Sequence, residues 1–143
     1  MKRTKLVALV VVGLVLLLGS GVVLAKSISC TAGITCNGTR QADTITGSVD
    51  DDTINGRRGG DTIDGSFGTD TITGGRGNDH IVDTGDTIAD ADTINGGPGD
   101  DVIDVREGDT NHPADFVDCG PGTDTVFVDA NDTRLNCEIF NPK

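Results

Sequence analysis

The sequence predicts an all-β fold, a parallel β-solenoid of nine-residue repeats with disulfide-stapled ends. Three observations carry that expectation. Stepping by nine residues, Asp43, Asp52, Asp61, Asp70 and Asp79 recur, each followed two residues later by Ile45, Ile54, Ile63, Ile72 or Ile81. A fixed period of this kind marks a stack of repeats. Beyond residue 25 there is about one aliphatic side chain per repeat and no Trp or Tyr. That is too little for a conventional core, but it suits a solenoid in which each unit is buried by its neighbours. Finally, the four cysteines bracket the repeats, Cys30 and Cys36 before them and Cys119 and Cys137 near their end.

The chain opens with Met1-Lys2-Arg3-Thr4-Lys5, an apolar run over 6–18 and small residues closing on Val23-Leu24-Ala25. This is the anatomy of a secretory signal peptide, residues 1–25, with cleavage expected after Ala25. The competing reading is a retained membrane anchor, since 6–25 approaches the ~20 residues that span a bilayer. Gly13, Gly19, Ser20 and Gly21 interrupt the run and favour cleavage, while Lys26 and Ser27 disfavour lipid attachment at Cys30.

Removing 1–25 takes away Lys2, Arg3 and Lys5, so the 11 basic residues become 8 against 23 acids, a formal charge of −15. Only Glu107 and Glu138 are glutamates. An aspartate-rich polyanion repels nucleic acid and anionic membrane surfaces, and its natural small partner is a cation. The expected location is secreted or extracellular, with the cell surface as the variant of that reading.

Residues 26–37 form the expected N-terminal disulfide cap. In an exported chain four cysteines read as bridges, and of three connectivities Cys30–Cys36 and Cys119–Cys137 are expected. Residues 38–128 are the repeats. In Gly65-Ser66-Phe67-Gly68-Thr69-Asp70-Thr71-Ile72-Thr73, six residues are expected to turn and three to extend, with glycine at the first and fourth positions supplying positive φ. Thr-Ile-Thr is good strand material, Ile inward and Thr outward.

The period slips over 83–95, where Asp86 with Ile88 reads as a shortened unit ahead of Asp92 with Ile94, and residues 105–114 read as an outward loop. Units at Asp101, at Asp115 with Val117 and at Asp124 with Val126 complete the block, and 129–143 read as a C-terminal cap.

Turn glycines followed by a fixed aspartate are the ingredients of a calcium site, because carbonyl and carboxylate oxygens are the hard ligands Ca²⁺ takes six to eight at a time. Mg²⁺ demands tighter octahedral geometry, and transition metals lack their usual nitrogen and sulfur donors here. Two stretches, Gly74-Gly75-Arg76-Gly77-Asn78-Asp79-His80-Ile81-Val82 and Gly96-Gly97-Pro98-Gly99-Asp100-Asp101-Val102-Ile103-Asp104, read Gly-Gly-x-Gly-x-Asp-x-aliphatic-x. On these residues the chain resembles the RTX nonapeptide family of Ca²⁺-binding β-roll repeats over about 38–128. The units at Gly56 and Gly65 keep the first and fourth glycines; those at Gly38 and Gly47 place Gln41 and Asp50 fourth.

The resemblance implies a flattened roll with Ca²⁺ held between neighbouring turns on each side. It further implies that aspartates two repeats apart share an ion, pairing Asp43 with Asp61, Asp52 with Asp70 and Asp61 with Asp79. The metal candidates are Asp43, Asp52, Asp61, Asp70, Asp79, Asp92, Asp101 and Asp124. Stacked carboxylates repel unless a cation lies among them, so folding is expected to be coupled to Ca²⁺.

Three other readings compete. Catalysis by aspartate pairs with His80 or His112 lacks a nucleophile constellation and a second domain to form a cleft. A recognition surface for ice or polysaccharide would use outward threonines, Thr44, Thr53, Thr62, Thr71, Thr87, Thr93 and Thr125, interrupted at His80, Val102 and Phe116. A disordered acidic buffer would bind Ca²⁺ with no gain in structure.

Overall fold

The computed structural model describes residues 25–83, 90–107 and 113–140. The expected signal peptide, apart from Ala25, falls outside them, as do Asp86, Thr87, Ile88 and His112. The described strands, in chain order, are β1 (Lys26–Ser29), β2 (Cys36–Asn37), β3 (Asp43–Thr46), β4 (Thr53–Arg58), β5 (Thr62–Asp64), β6 (Thr71–Arg76) and β7 (His80–Val82). They continue as β8 (Thr93–Asn95), β9 (Val102–Asp104), β10 (Phe116–Asp118), β11 (Thr125–Phe127), β12 (Thr133–Leu135) and β13 (Ile139–Phe140). Successive strands alternate between two parallel sheets. The odd strands stack in order β1-β3-β5-β7-β9-β11-β13 and the even strands as β2-β4-β6-β8-β10-β12. This is the expected β-solenoid, with each nonad forming one side of a turn.

Register follows the repeat. In the odd sheet Ile45, Ile63, Ile81, Ile103 and Val126 align; in the even sheet Cys36, Ile54, Ile72, Ile94 and Val117 do. The sequence ladder of five isoleucines is therefore two ladders facing each other across a thin buried core. One aliphatic residue per strand suffices because its neighbours above and below complete its burial. Ile72 is fully buried. Ile72→Ala is expected to destabilise the Ca²⁺-loaded chain by about 2–5 kcal/mol, read as a lower midpoint in denaturant unfolding.

Across the slip after Val82, Ile72 pairs directly with Ile94 and Ile81 with Ile103; the expected unit at Asp86 with Ile88 lies outside the described residues. The stretch 105–114 is passed in the same way, Ile94 pairing with Val117. In sequence, both slips fall between an odd strand and the next even one.

The expected disulfides Cys30–Cys36 and Cys119–Cys137 are both formed. The first joins the start of the two sheets, and the second ties the last described turn to the one beneath it. The threonines divide between the faces: Thr44 and Thr62 stand in line with His80, Val102 and Thr125, whereas Thr53, Thr71 and Thr93 stand in line with Phe116 and Thr133. Among the described residues no helix is long and apolar enough to cross a membrane.

Candidate metal centre

From β4 to β12 an aspartate stands immediately before each strand, as Asp43 opens β3, and parallel stacking brings these aspartates into two columns. The loops entering the odd sheet contribute Asp43, Asp61, Asp79, Asp101 and Asp124; those entering the even sheet contribute Asp52, Asp70, Asp92 and Asp115. All are buried. The sequence pairs Asp43–Asp61, Asp61–Asp79 and Asp52–Asp70 are direct neighbours. Asp92, Asp101 and Asp124 join the same columns despite the insertions.

The columns are held by one repeated bond. The backbone N–H of Asp43 donates to Asp61 Oδ1 at 2.7 Å, Asp61 to Asp79 at 2.7 Å, Asp79 to Asp101 at 2.8 Å and Asp101 to Asp124 at 2.8 Å. On the other flank Asp52 donates to Asp70 at 2.8 Å, Asp70 to Asp92 at 2.7 Å and Asp92 to Asp115 at 2.9 Å. Glu138 Oε2 and Asp132 Oδ1 accept the corresponding bonds from Asp124 and Asp115, closing the two columns.

One carboxylate oxygen is thereby used. The second, Oδ2, is buried without a hydrogen-bond partner in Asp61, Asp79, Asp101 and Asp124. At the start of the columns Asp43 and Asp52 differ, since their Oδ2 atoms accept from Thr39 N–H at 2.6 Å and Ser48 N–H at 2.5 Å. Burial raises the Asp79 carboxyl to about 7; the Asp61 N–H opposes the shift and the charges of Asp101 and Asp61 add to it. Asp101 is raised to about 6 for the same leading reason, with Asp124 and Asp100 adding to it. Burial also raises Asp61, Asp92 and Asp124.

The first glycine of each unit serves this arrangement by its missing Cβ rather than by positive φ, which corrects the sequence expectation. A Cβ on Gly74 would lie 2.6 Å from Asp79 Oδ2 and 2.7 Å from the Gly96 carbonyl oxygen. Positive φ belongs instead to the second and fourth positions, as at Gly75 (117°) and Gly77 (125°). There the loop turns its carbonyls, and a side chain would be strained.

Two acidic side chains outside the metal candidates also appear. Asp115 continues a column, and Glu107, read as part of an outward loop, brings a carboxylate oxygen within 4.8 Å of one from Asp92 and one from Asp115. Buried carboxylate oxygens beside glycine-rich turns fit a hard, oxygen-seeking cation. Ca²⁺ bound there supplies the positive charge that lets neighbouring carboxylates stay ionised; the chain's residues supply the spacing, the burial and the oxygen donors. Asp83 occupies a first-glycine position and is buried, with both carboxylate oxygens 2.7 Å from a Cβ placed on Gly65.

Neither the curated proteins nor the solved structures contain a match to the chain. The family described as RTX calcium-binding nonapeptide repeat (4 copies) matches over residues 37–63, 46–81 and 83–110, just over half of the chain. With these matches falling on the stacked glycine-rich loops and their buried aspartates, the chain belongs to the RTX calcium-binding nonapeptide repeat family and is a Ca²⁺-binding β-roll.

Proposed function

We propose that this chain is an exported protein whose fold is completed by Ca²⁺, serving a structural or interaction role outside the cell rather than a catalytic one. In this reading Asp43, Asp61, Asp79, Asp101 and Asp124 on one flank, and Asp52, Asp70 and Asp92 on the other, hold the ions. The carrying observation is the set of buried, partnerless Oδ2 atoms at Asp61, Asp79, Asp101 and Asp124. Leaving a buried charged oxygen unpaired is costly, and a bound cation removes the cost at every rung. Without it the columns repel themselves, so ion binding and folding form a single equilibrium.

The same reading takes residues 1–25 as a cleaved export signal, 26–37 and 129–143 as caps, and 38–128 as the working repeat block. The disulfides and the acidic charge support an oxidising, extracellular setting. Recognition of ice or polysaccharide through threonines is the second reading. Its support is the exposed column Thr53, Thr71 and Thr93 on the even sheet.

Far-ultraviolet circular dichroism during a Ca²⁺ titration tests the main proposal. A cooperative gain of β signal, reversed by a chelator and not reproduced by equal Mg²⁺, is the expected result. A chain with the same β signal before and after Ca²⁺, or none at millimolar Ca²⁺, would exclude it.

A further inference from the structure

A second ladder, of opposite charge, runs beside the first. Arg40, Arg58 and Arg76 occupy the third position of three successive loops on the flank that carries Asp43, Asp61 and Asp79. Arg58 and Arg76 are direct register partners between β4 and β6, and Arg57 is aligned with Gly75. The four arginines line one open recess of about 410 Å³. In the next two loops the third position passes to Pro98 and Pro121, so the row ends there.

These four are half of the eight basic residues that follow residue 25. In a chain so rich in aspartate an arginine is expected to find a carboxylate. Arg106 does, at 2.6 Å from Asp104, with its guanidinium 4.7 Å over the Phe127 ring. The four in the recess are exposed, and among the described residues none lies within 4.0 Å of a carboxylate oxygen. Arg57 instead donates from Nη2 to Asn37 Oδ1 at 3.2 Å.

Two costs accompany the row. Like charges directly opposite on neighbouring strands repel. Arg57 also adopts φ 80° at the second position of its turn, where Gly75, Gly97 and Gly120 have φ of 117°, 98° and 94° and Ser66, on the other flank, has 83°. A side chain in that region is strained and persists only where the surrounding structure holds it there.

We infer that the Arg40–Arg57–Arg58–Arg76 row is a binding site for an acidic polysaccharide, taking sulfate or carboxylate groups spaced along a linear chain. Guanidinium forks match oxyanions in bidentate fashion, and strand stacking sets the rungs about 4.8 Å apart, so the charges form a line rather than a plane. A single-stranded nucleic acid would need aromatic platforms for its bases, and the recess is lined by arginine alone. An anionic membrane would face the whole acidic surface of the chain, whereas a thin polymer can follow the row.

This inference rests on the Ca²⁺-loaded fold proposed above, so the test reads fold and ligand separately. Calorimetry of the full Ca²⁺-loaded chain would use a sulfated octasaccharide, its unsulfated counterpart, inorganic sulfate and phosphatidylglycerol vesicles. The sulfated octasaccharide is expected to bind, with an affinity that falls as salt rises, and the unsulfated one not to bind. The Arg58→Gln/Arg76→Gln variant is expected to lose about tenfold or more of that affinity while keeping its circular dichroism and Ca²⁺ titration. Arg57→Gly, which places there the residue found at positions 75, 97 and 120, is expected to fold fully and bind the octasaccharide more weakly. Equal affinity in the wild type and both variants, no binding of the sulfated chain, or binding to the vesicles alone would each overturn the inference. If the Ca²⁺ titration itself fails, the folding proposal falls first, and the dichroism shows that independently.

Discussion

Asp79→Asn is expected to act with opposite signs in the presence and absence of Ca²⁺. Asp79 stands mid-column, accepting from Asp61 N–H at 2.7 Å and donating its own N–H to Asp101 Oδ1 at 2.8 Å. Its Oδ2 is buried without a partner. Asparagine preserves the accepting oxygen but replaces Oδ2 with a donor and removes the charge. With Ca²⁺, the two inter-turn sites that Asp79 shares in the proposed reading should both suffer, and the midpoint of Ca²⁺-driven folding should rise by about tenfold or more. Without Ca²⁺ the same change relieves repulsion against Asp61 and Asp101, so the ion-free roll should gain stability. A residue with a merely structural role would lose under both conditions. Asp43→Asn is the comparison: both Asp43 oxygens already accept hydrogen bonds, from Lys26 N–H and Thr39 N–H, and its effect on the midpoint should be smaller. Circular dichroism at fixed Ca²⁺ concentrations measures all three chains.

Acid should partly replace calcium. Burial, opposed by the backbone bond from Asp61 and aided by the neighbouring charges, raises Asp79 from 3.8 to about 7; Asp101 is raised to about 6. An unfolded aspartate titrates near 3.8, so between that value and about 7 the ion-free fold binds more protons than the unfolded chain. Its stability therefore falls as pH rises through this window and recovers as pH drops. The Ca²⁺-loaded state has the reverse dependence, because the ion competes with those protons and its affinity falls below about pH 7. The expected observation is β signal in chelator at about pH 5 that is lost at about pH 8, together with proton release when Ca²⁺ is added near pH 6.5. A Ca²⁺ affinity constant from pH 5 to 8 would contradict the raised carboxyls.

The parts of this architecture that repeat locally can be read from the sequence. Asp-x-Ile every nine residues places one inward aliphatic and one buried carboxylate per unit, and pairs such as Asp61 with Asp79 follow once the strands stack in parallel. The disulfides, too, follow from cysteines at each end of the block. What local pattern cannot supply is which of two identical signals enters the stack. Asp86-Thr87-Ile88 and Asp92-Thr93-Ile94 read alike, yet Ile94 is the partner of Ile72; only the continuity of the sheet decides. Asp115 is legible as a unit with Val117, but its place in a column and the approach of Glu107 to Asp92 and Asp115 depend on stacking that a period count does not carry. The first glycine is misread for a related reason, since its neighbours in space, Asp79 Oδ2 and the Gly96 carbonyl for Gly74, belong to the stacked turn.

The hydrogen bonds along each column all run one way, the N–H of an earlier aspartate reaching the carboxylate of a later one. The roll therefore has a head and a tail of different chemical character. Shortening it from the N-terminal end leaves a carboxylate oxygen with spare accepting capacity, a vacancy that Lys26 N–H fills in the intact chain. Shortening it from the C-terminal end instead strands a buried N–H, which has no second way to be satisfied. Glu138 and Asp132 stand at that end as acceptors, so the two ends call for opposite partners, a donor where the solenoid begins and an acceptor where it finishes.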